Sequence, residues 1–182
     1  MHEAENLWWD VEKRSFHAYL KRDIGRGIEI LTEFLDSEVS SPFRARALGN
    51  RAELLLGLGK TEEASQDLLQ ALKIADGSSY TRFTNEFALG ALYEQLGHRE
   101  LAIEYLLKAV GTALQEGKTS VGGVLVRLLR LVPMIDFSEE EDRLVVDAVR
   151  HSWRLLNLEG EPDISDIQGV AETLLRESSR PR

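Results

Sequence analysis

The feature of the sequence that most constrains its fold is a segment that recurs after 38 residues. Residues 48–64 align with residues 86–102 without a gap, and small, large apolar and turn residues coincide between the two copies. Self-similarity at such a period is typical of repeated helical hairpins. The coinciding pairs are Ala52 with Gly90, Leu55 with Tyr93, Gly59 with Gly97, Ala64 with Ala102, and Ala71 with Ala109.

Each copy predicts a helix, a glycine stop and a second helix that folds back on the first. Gly59 and Gly97 stand where a helix ends in a left-handed conformation, which glycine adopts at little cost. Small residues allow the paired helices to approach closely, and large apolar residues at helical spacing fill the space between them. One hairpin cannot bury its own apolar face, so the copies must stack.

At these positions the sequence resembles the tetratricopeptide repeat (TPR) family, in the longer-helix variant of kinesin light chains and bacterial peptide-sensing regulators. Two features depart from the family: Leu48 and Glu86 replace its early tryptophan, and its closing proline is missing. The resemblance implies an all-α fold, a TPR-like α-solenoid whose first helices line a concave groove.

We therefore expect a single TPR-like domain over residues 1–177, with about four antiparallel helix pairs and a C-terminal capping helix. A loop is expected from Ser37 to Pro42, and Ser138 with Glu141 predicts a capping box. The segments are a degenerate repeat at 6–40, repeats at 45–78 and 83–118, an atypical pair at 120–157, a capping helix at 164–177, and a disordered tail at 178–182.

Composition narrows the classes of partner. The net charge of −9 disfavours nucleic acid and favours basic partners. No cysteine is present, so disulfides and cysteine-ligated zinc are excluded. The acidic N-terminus does not resemble a signal peptide, and no segment is apolar over the length of a membrane span. We expect a cytoplasmic protein that binds neither nucleic acid nor membrane.

No pattern in the sequence predicts a catalytic, metal or cofactor site. The four histidines lack ligand spacing, and the glycines around Gly25 and Gly122 lack the lysine and preceding strand of a phosphate loop. The acidic run 139–142 is interpreted as a helix start, where carboxylates oppose the helix dipole. An enzyme using this run is the least favoured hypothesis.

Candidate partner-binding residues follow from the resemblance and from charge. Arg127 and Arg130 form either a solvated edge or a basic stripe that grips a carboxylate. The resemblance implies that the following residues face the concave groove: Arg46, Asn50, Glu53, Thr84, Phe87 and Ala91.

The N-terminal helix carries adjacent tryptophans on different faces. One face holds Leu7, Trp8, Val11, Ser15, Ala18 and Tyr19, and another holds Trp9, Phe16 and Leu20. The second face either packs inside or forms a docking or homodimer surface around Trp9 and Phe16. The favoured function is a scaffold that binds a protein or peptide, for example a bacterial regulatory or immunity protein that masks a basic partner. The alternative is a homo-oligomeric assembly protein.

Overall fold

The structure is a computed structural model that describes residues 2–37, 41–74, 79–117, 121–131 and 138–179. These residues form α-helices and one short 3-10 turn at Ile164–Asp166, with no strand among them, as the repeat predicts. The helices are α1 His2–Leu20, α2 Ile24–Leu35, α3 Ser41–Gly57, α4 Thr61–Ile74, α5 Ser79–Gln95, α6 Arg99–Glu116, α7 Gly122–Leu131, α8 Glu139–Leu155 and α9 Ile167–Ser178.

Three hairpins share one turn geometry. Residues 21–23, 58–60 and 96–98 join α1 to α2, α3 to α4 and α5 to α6. The middle residue of each turn is left-handed: Gly59 at φ 72° and Gly97 at φ 75°, as predicted, and Arg22 at φ 62°. Each turn then closes with the same hydrogen bond, in which N–H of Asp23, Lys60 or His98 donates to the carbonyl of Ala18, Leu55 or Tyr93 at 2.9–3.0 Å. The hairpin within the predicted degenerate repeat therefore has the same turn geometry as the other two.

Glycines allow close approach at the helices of the first and third hairpins. In the first hairpin, a Cβ on Gly27 would lie 3.5 Å from the Ser15 carbonyl and 2.8 Å from Leu54 Cδ1. In the third, a Cβ on Gly90 would lie 2.7 Å from Leu106 Cγ. The small residues at the corresponding positions of the three hairpins are all buried: Ser15, Gly27, Ala52, Ala64, Gly90 and Ala102.

The helices group into two compact units, residues 1–88 and 89–182. In the first, Trp8 is fully buried, with its ring 5.5 Å from Phe34 and 6.3 Å from Phe43, measured between centroids. These contacts join α1 to α2 and α3. Arg51 on α3 forms a bidentate ion pair with Asp67 on α4, at 2.7 and 2.8 Å, and donates to Thr32 on α2 at 3.1 Å.

In the second unit, α9 packs directly against the start of α7. A Cβ on Gly122 would lie 2.6 Å from the Leu175 amide nitrogen, so only glycine fits this crossing. Val121 N–H also donates to the buried Ser152 Oγ of α8 at 3.1 Å. The predicted capping box is confirmed, because Glu141 N–H donates to Ser138 Oγ and the Glu141 carboxylate accepts from Ser138 N–H.

Several predicted boundaries were wrong. Pro42 belongs to the first turn of α3 and not to a loop. Proline is tolerated there because the first N–H groups of a helix have no acceptor within the helix, so the missing N–H breaks no hydrogen bond. Ser178 is the last residue of α9, whereas residues 180–182 of the predicted tail lie outside the described part. Ser120 and the predicted break at Pro133 lie outside it too.

The left-handed turn of the first hairpin predicts a stabilising substitution. Arg22→Gly should raise the free energy of unfolding by about 0.5–1 kcal/mol, because a side chain at positive φ costs more than the extra freedom glycine has when unfolded. Lys21→Gly is the control: Lys21 is equally exposed but has no positive φ, so it should gain nothing. Urea denaturation measures the free energy of unfolding of both variants. Equal effects would contradict the left-handed conformation of Arg22.

The close approach at Gly90 predicts the opposite sign. Gly90→Ala should lower the free energy of unfolding by about 1 kcal/mol, since overpacking against Leu106 outweighs the better helix propensity of alanine. Gly111→Ala is the matched control on α6, where a Cβ meets nothing within 4 Å. That substitution should instead stabilise by about 0.5–1 kcal/mol. A Gly90→Ala variant as stable as the wild type would show that the third hairpin is not tightly packed.

Candidate functional site

The first unit contains a groove along one side of α1 and α3. Its volume is about 790 Å³, and we call it the aromatic groove. Most of its apolar lining comes from α1, and its polar lining comes from both helices. The lining residues are Trp9, Glu12, Lys13, Ser15, Phe16, Tyr19, Leu31, Asn50, Glu53 and Leu54.

A smaller recess of about 250 Å³ adjoins the groove and reaches α5; we call it the polar recess. Glu12, Asn50 and Glu53 line both spaces, so the two are continuous. The first helices of three successive hairpins thus contribute to one surface. The remaining residues of the recess are Arg46, Gly49, Leu68, Tyr80, Thr81, Thr84, Asn85 and Ala88.

The wall of the aromatic groove on α1 is built from exposed rings. Trp9, Phe16 and Tyr19 are 52%, 59% and 53% exposed, and the rings of Phe16 and Tyr19 stack with centroids 6.3 Å apart. Of the two interpretations of the Trp9–Phe16 face, the structure therefore supports an open surface.

The buried face of α1 is narrower than predicted. Tyr19 and Leu7 were expected on it, but both are at least half exposed. Trp8, Val11 and Ala18 fill the interface, with Ser15 between them. Tyr19 is rotated about 100° from Ala18 and points past that interface into the groove.

Arg46 is held by the tryptophan pair. Its guanidinium carbon lies 5.5 Å from the Trp8 ring and 5.6 Å from the Trp9 ring, within the range of cation–π attraction. Within the described residues Arg46 forms no ion pair, so its hydrogen-bond donors are available to a ligand in the recess. Asn50 lies next to it, one helical turn further along α3.

Glu53 is the acidic residue of the groove on α3. The Glu53 residue is exposed at the groove surface, and partial desolvation of its carboxyl by the surrounding walls raises its pKa above the ordinary value. No cation of the described part of the chain forms an ion pair with it. Its charge is therefore uncompensated where it faces the groove.

Sequence reasoning missed Asn85, which lies at the polar recess. Asn85 is 3% exposed, and its Nδ2 has no hydrogen-bond partner among the described residues. A Cβ on Gly49 would lie 2.5 Å from Asn85 Oδ1, so the glycine makes room for the amide. The repeat contained a signal for its burial, because Asn85 stands 38 residues after Ala47, which is fully buried in the preceding repeat.

Of the other predicted residues, Thr84 lies on this surface and Phe87 and Ala91 lie apart from it. Thr84 lines the recess, with its hydroxyl donating to the Thr81 carbonyl at 3.0 Å. Phe87 lines neither space and stacks on Phe83 with centroids 6.3 Å apart. Ala91 is half-buried and belongs to the second unit.

The two arginines of α7 are separated by their contacts. Arg127 forms an ion pair with Glu94 of α5 at 2.5 Å. Arg130 is exposed and lines a different groove of about 480 Å³, formed with Gln168 and Glu172 of α9. The two arginines therefore lie against different parts of the protein, Arg127 against Glu94 and Arg130 beside α9, and do not form the continuous basic stripe of one interpretation.

No three histidine or acidic residues of the described part of the chain come together in a way that would hold a metal ion. None of its helices combines the length and apolarity needed to cross a membrane.

Comparison with known proteins agrees with the hairpin geometry. The family model for the tetratricopeptide repeat matches residues 45–77 and 87–115. The fold is similar to the crystal structure of BtubC (BKLC) from P. vanneervenii, with a TM-score of 0.61 and 16% identity, covering 97% of this chain and 82% of that one. No curated protein matches the sequence.

The structural similarity confirms the predicted fold class, an all-α, TPR-like α-solenoid. At this level of identity it concerns the fold alone. The sequence thus matches the tetratricopeptide repeat at two segments, residues 45–77 and 87–115.

Proposed function

We propose that this protein is an interaction scaffold whose aromatic groove and polar recess hold a peptide segment of another protein. Tetratricopeptide repeats mediate protein–protein interactions through the surfaces that their stacked helices form. The observation that carries the proposal is the row of half-exposed rings, Trp9, Phe16 and Tyr19, along a concave space of about 790 Å³. Clustered exposed aromatic residues are typical of binding sites and uncommon on inert surfaces.

The groove is supported by a rigid base. Trp8, next to Trp9, is fully buried between α2 and α3, so the helix that carries the rings is fixed before any ligand arrives. A preformed surface loses little conformational entropy on binding. This favours a short segment docking onto the protein over a mutual rearrangement.

The polar residues favour a peptide over a purely apolar ligand. Arg46 and Asn50 offer donors at the junction of groove and recess, where the carbonyl groups of an extended segment would need partners. The recess, at about 250 Å³, is large enough for one side chain. The wider aromatic groove would take the apolar part of the segment.

The wider role that we propose is regulatory and non-catalytic, in the cytoplasm. A bacterial regulatory or immunity protein that masks a basic partner fits the charge of −9. A second copy of the chain is the alternative occupant of the Trp9 and Phe16 face. The experiment below distinguishes the two.

Panning a library of displayed random dodecapeptides on the immobilised full-length protein should enrich binders, and Phe16→Ala should weaken each of them at least tenfold. The ring is exposed, so its removal should leave the thermal unfolding midpoint unchanged while removing contact area. Leu20→Ala is the matched control, because Leu20 is 62% exposed on the same helix but does not line the groove. Isothermal titration calorimetry gives the affinities.

Three results would contradict the proposal. The first is that no peptides are enriched over an unrelated protein, and the second is that Phe16→Ala and Leu20→Ala lose equal affinity. The third is a dimer in light scattering that Phe16→Ala dissociates and Leu20→Ala does not, since the groove would then be occupied by a second copy.

A further inference from the structure

Charge within the aromatic groove is arranged unevenly. Glu12 and Glu53 line both the groove and the recess, whereas the basic residues lie at its margins. Lys13 also lines a second concavity of α1, beside Arg14 and Lys21, and so lies on the ridge between the two. The part of the groove that adjoins the recess is therefore acidic, and the aromatic rings of α1 line the groove beside it.

Among the described residues, the Glu53 carboxylate has no ion-pair partner, although its surroundings favour a positive charge beside it. Burial by the groove walls is the cause of its raised pKa, and no cation of the described residues offsets this burial with an ion pair. A desolvated carboxylate gains from an opposite charge brought close to it. A bound ammonium or guanidinium group would supply that charge.

The rings supply a second attraction for the same kind of group. Phe16 and Tyr19 stand half exposed on the wall of the groove, and aromatic faces attract cations. The protein already uses this interaction nearby, where the Arg46 guanidinium lies 5.6 Å from the centroid of Trp9. Arg46 itself is engaged with the tryptophans, so the faces of Phe16 and Tyr19 remain for a ligand.

We propose that the aromatic groove binds a lysine or arginine side chain of the bound segment, with its aliphatic stem along the Phe16 and Tyr19 rings and its charge at the Glu53 carboxylate. This inference rests on the proposed function and names the chemistry that the site selects. An acidic segment would be repelled by Glu12 and Glu53. A purely apolar one would cover the exposed Glu53 charge without compensating it.

The test uses small probes and the full-length protein. We choose Nα-acetyl-lysine methylamide, the arginine equivalent, and the norleucine equivalent, which matches the lysine stem without the charge. In proton–nitrogen correlation spectra, the lysine and arginine probes should shift the Trp9 indole and Asn50 signals saturably, with dissociation constants at least fivefold lower than that of the norleucine probe.

Variants then assign the preference to Glu53. Glu53→Gln should reduce the preference for lysine over norleucine to less than twofold, while Glu53→Asp, which keeps the charge, should retain part of it. Glu62→Gln is the control, because it removes an exposed carboxylate of α4 outside the groove and should change nothing.

The inference is overturned if norleucine binds as well as lysine, if neither cationic probe gives a saturable shift, or if Glu53→Gln and Glu62→Gln behave alike. Its failure can be separated from failure of the proposed function. Suppose that dodecapeptides bind through Phe16 but are not enriched in lysine and arginine. The groove would then still be a peptide-binding site, but it would have no preference for a cationic side chain.

Discussion

The close approach of the two helices in each hairpin is the constraint on which the rest of the structure depends. It requires a small residue at the point of contact, such as Gly27 against Ser15 or Gly90 against Leu106, and a turn whose central residue is left-handed. With these met, the second helix folds back after three residues, and the chain returns to start the next hairpin. In the first unit this repetition brings α1, α3 and α5 to one surface, where the aromatic groove and polar recess lie.

The adjacent tryptophans divide structural from binding roles within one helix. Trp8 is in the core and fixes α1, while Trp9, rotated by about 100°, lies on the groove. Arg46 packs on both rings and so connects the core to the surface. The same helix is therefore fixed in the core by Trp8 and exposes the ring of Trp9 in the groove. Glu53 and Glu12 add negative charge to the polar lining of this surface, and this charge is the basis of the cationic ligand that we propose.

Local features were predictable where one residue type has one physical reason. Glycine at a left-handed turn and serine at a helix start were both found as expected, at Gly59 and Ser138. Arg22 escaped prediction because a left-handed arginine has no sequence signature, and only the hairpin imposes that conformation. The Arg51–Asp67 ion pair was missed for a related reason: it joins residues sixteen apart on different helices and is not repeated.

The sequence by itself determined the helices, the repeat period and the turns, because these follow from contacts within one hairpin. The family resemblance also supplied some of the lining residues, Arg46, Asn50 and Glu53 among them, through the position of each residue in its repeat. Tertiary structure decided which surfaces stay open. Whether Trp9 is buried, whether Arg127 is paired with Glu94, and whether Asn85 finds a partner all depend on side chains brought from other helices, and the repeat pattern does not specify them.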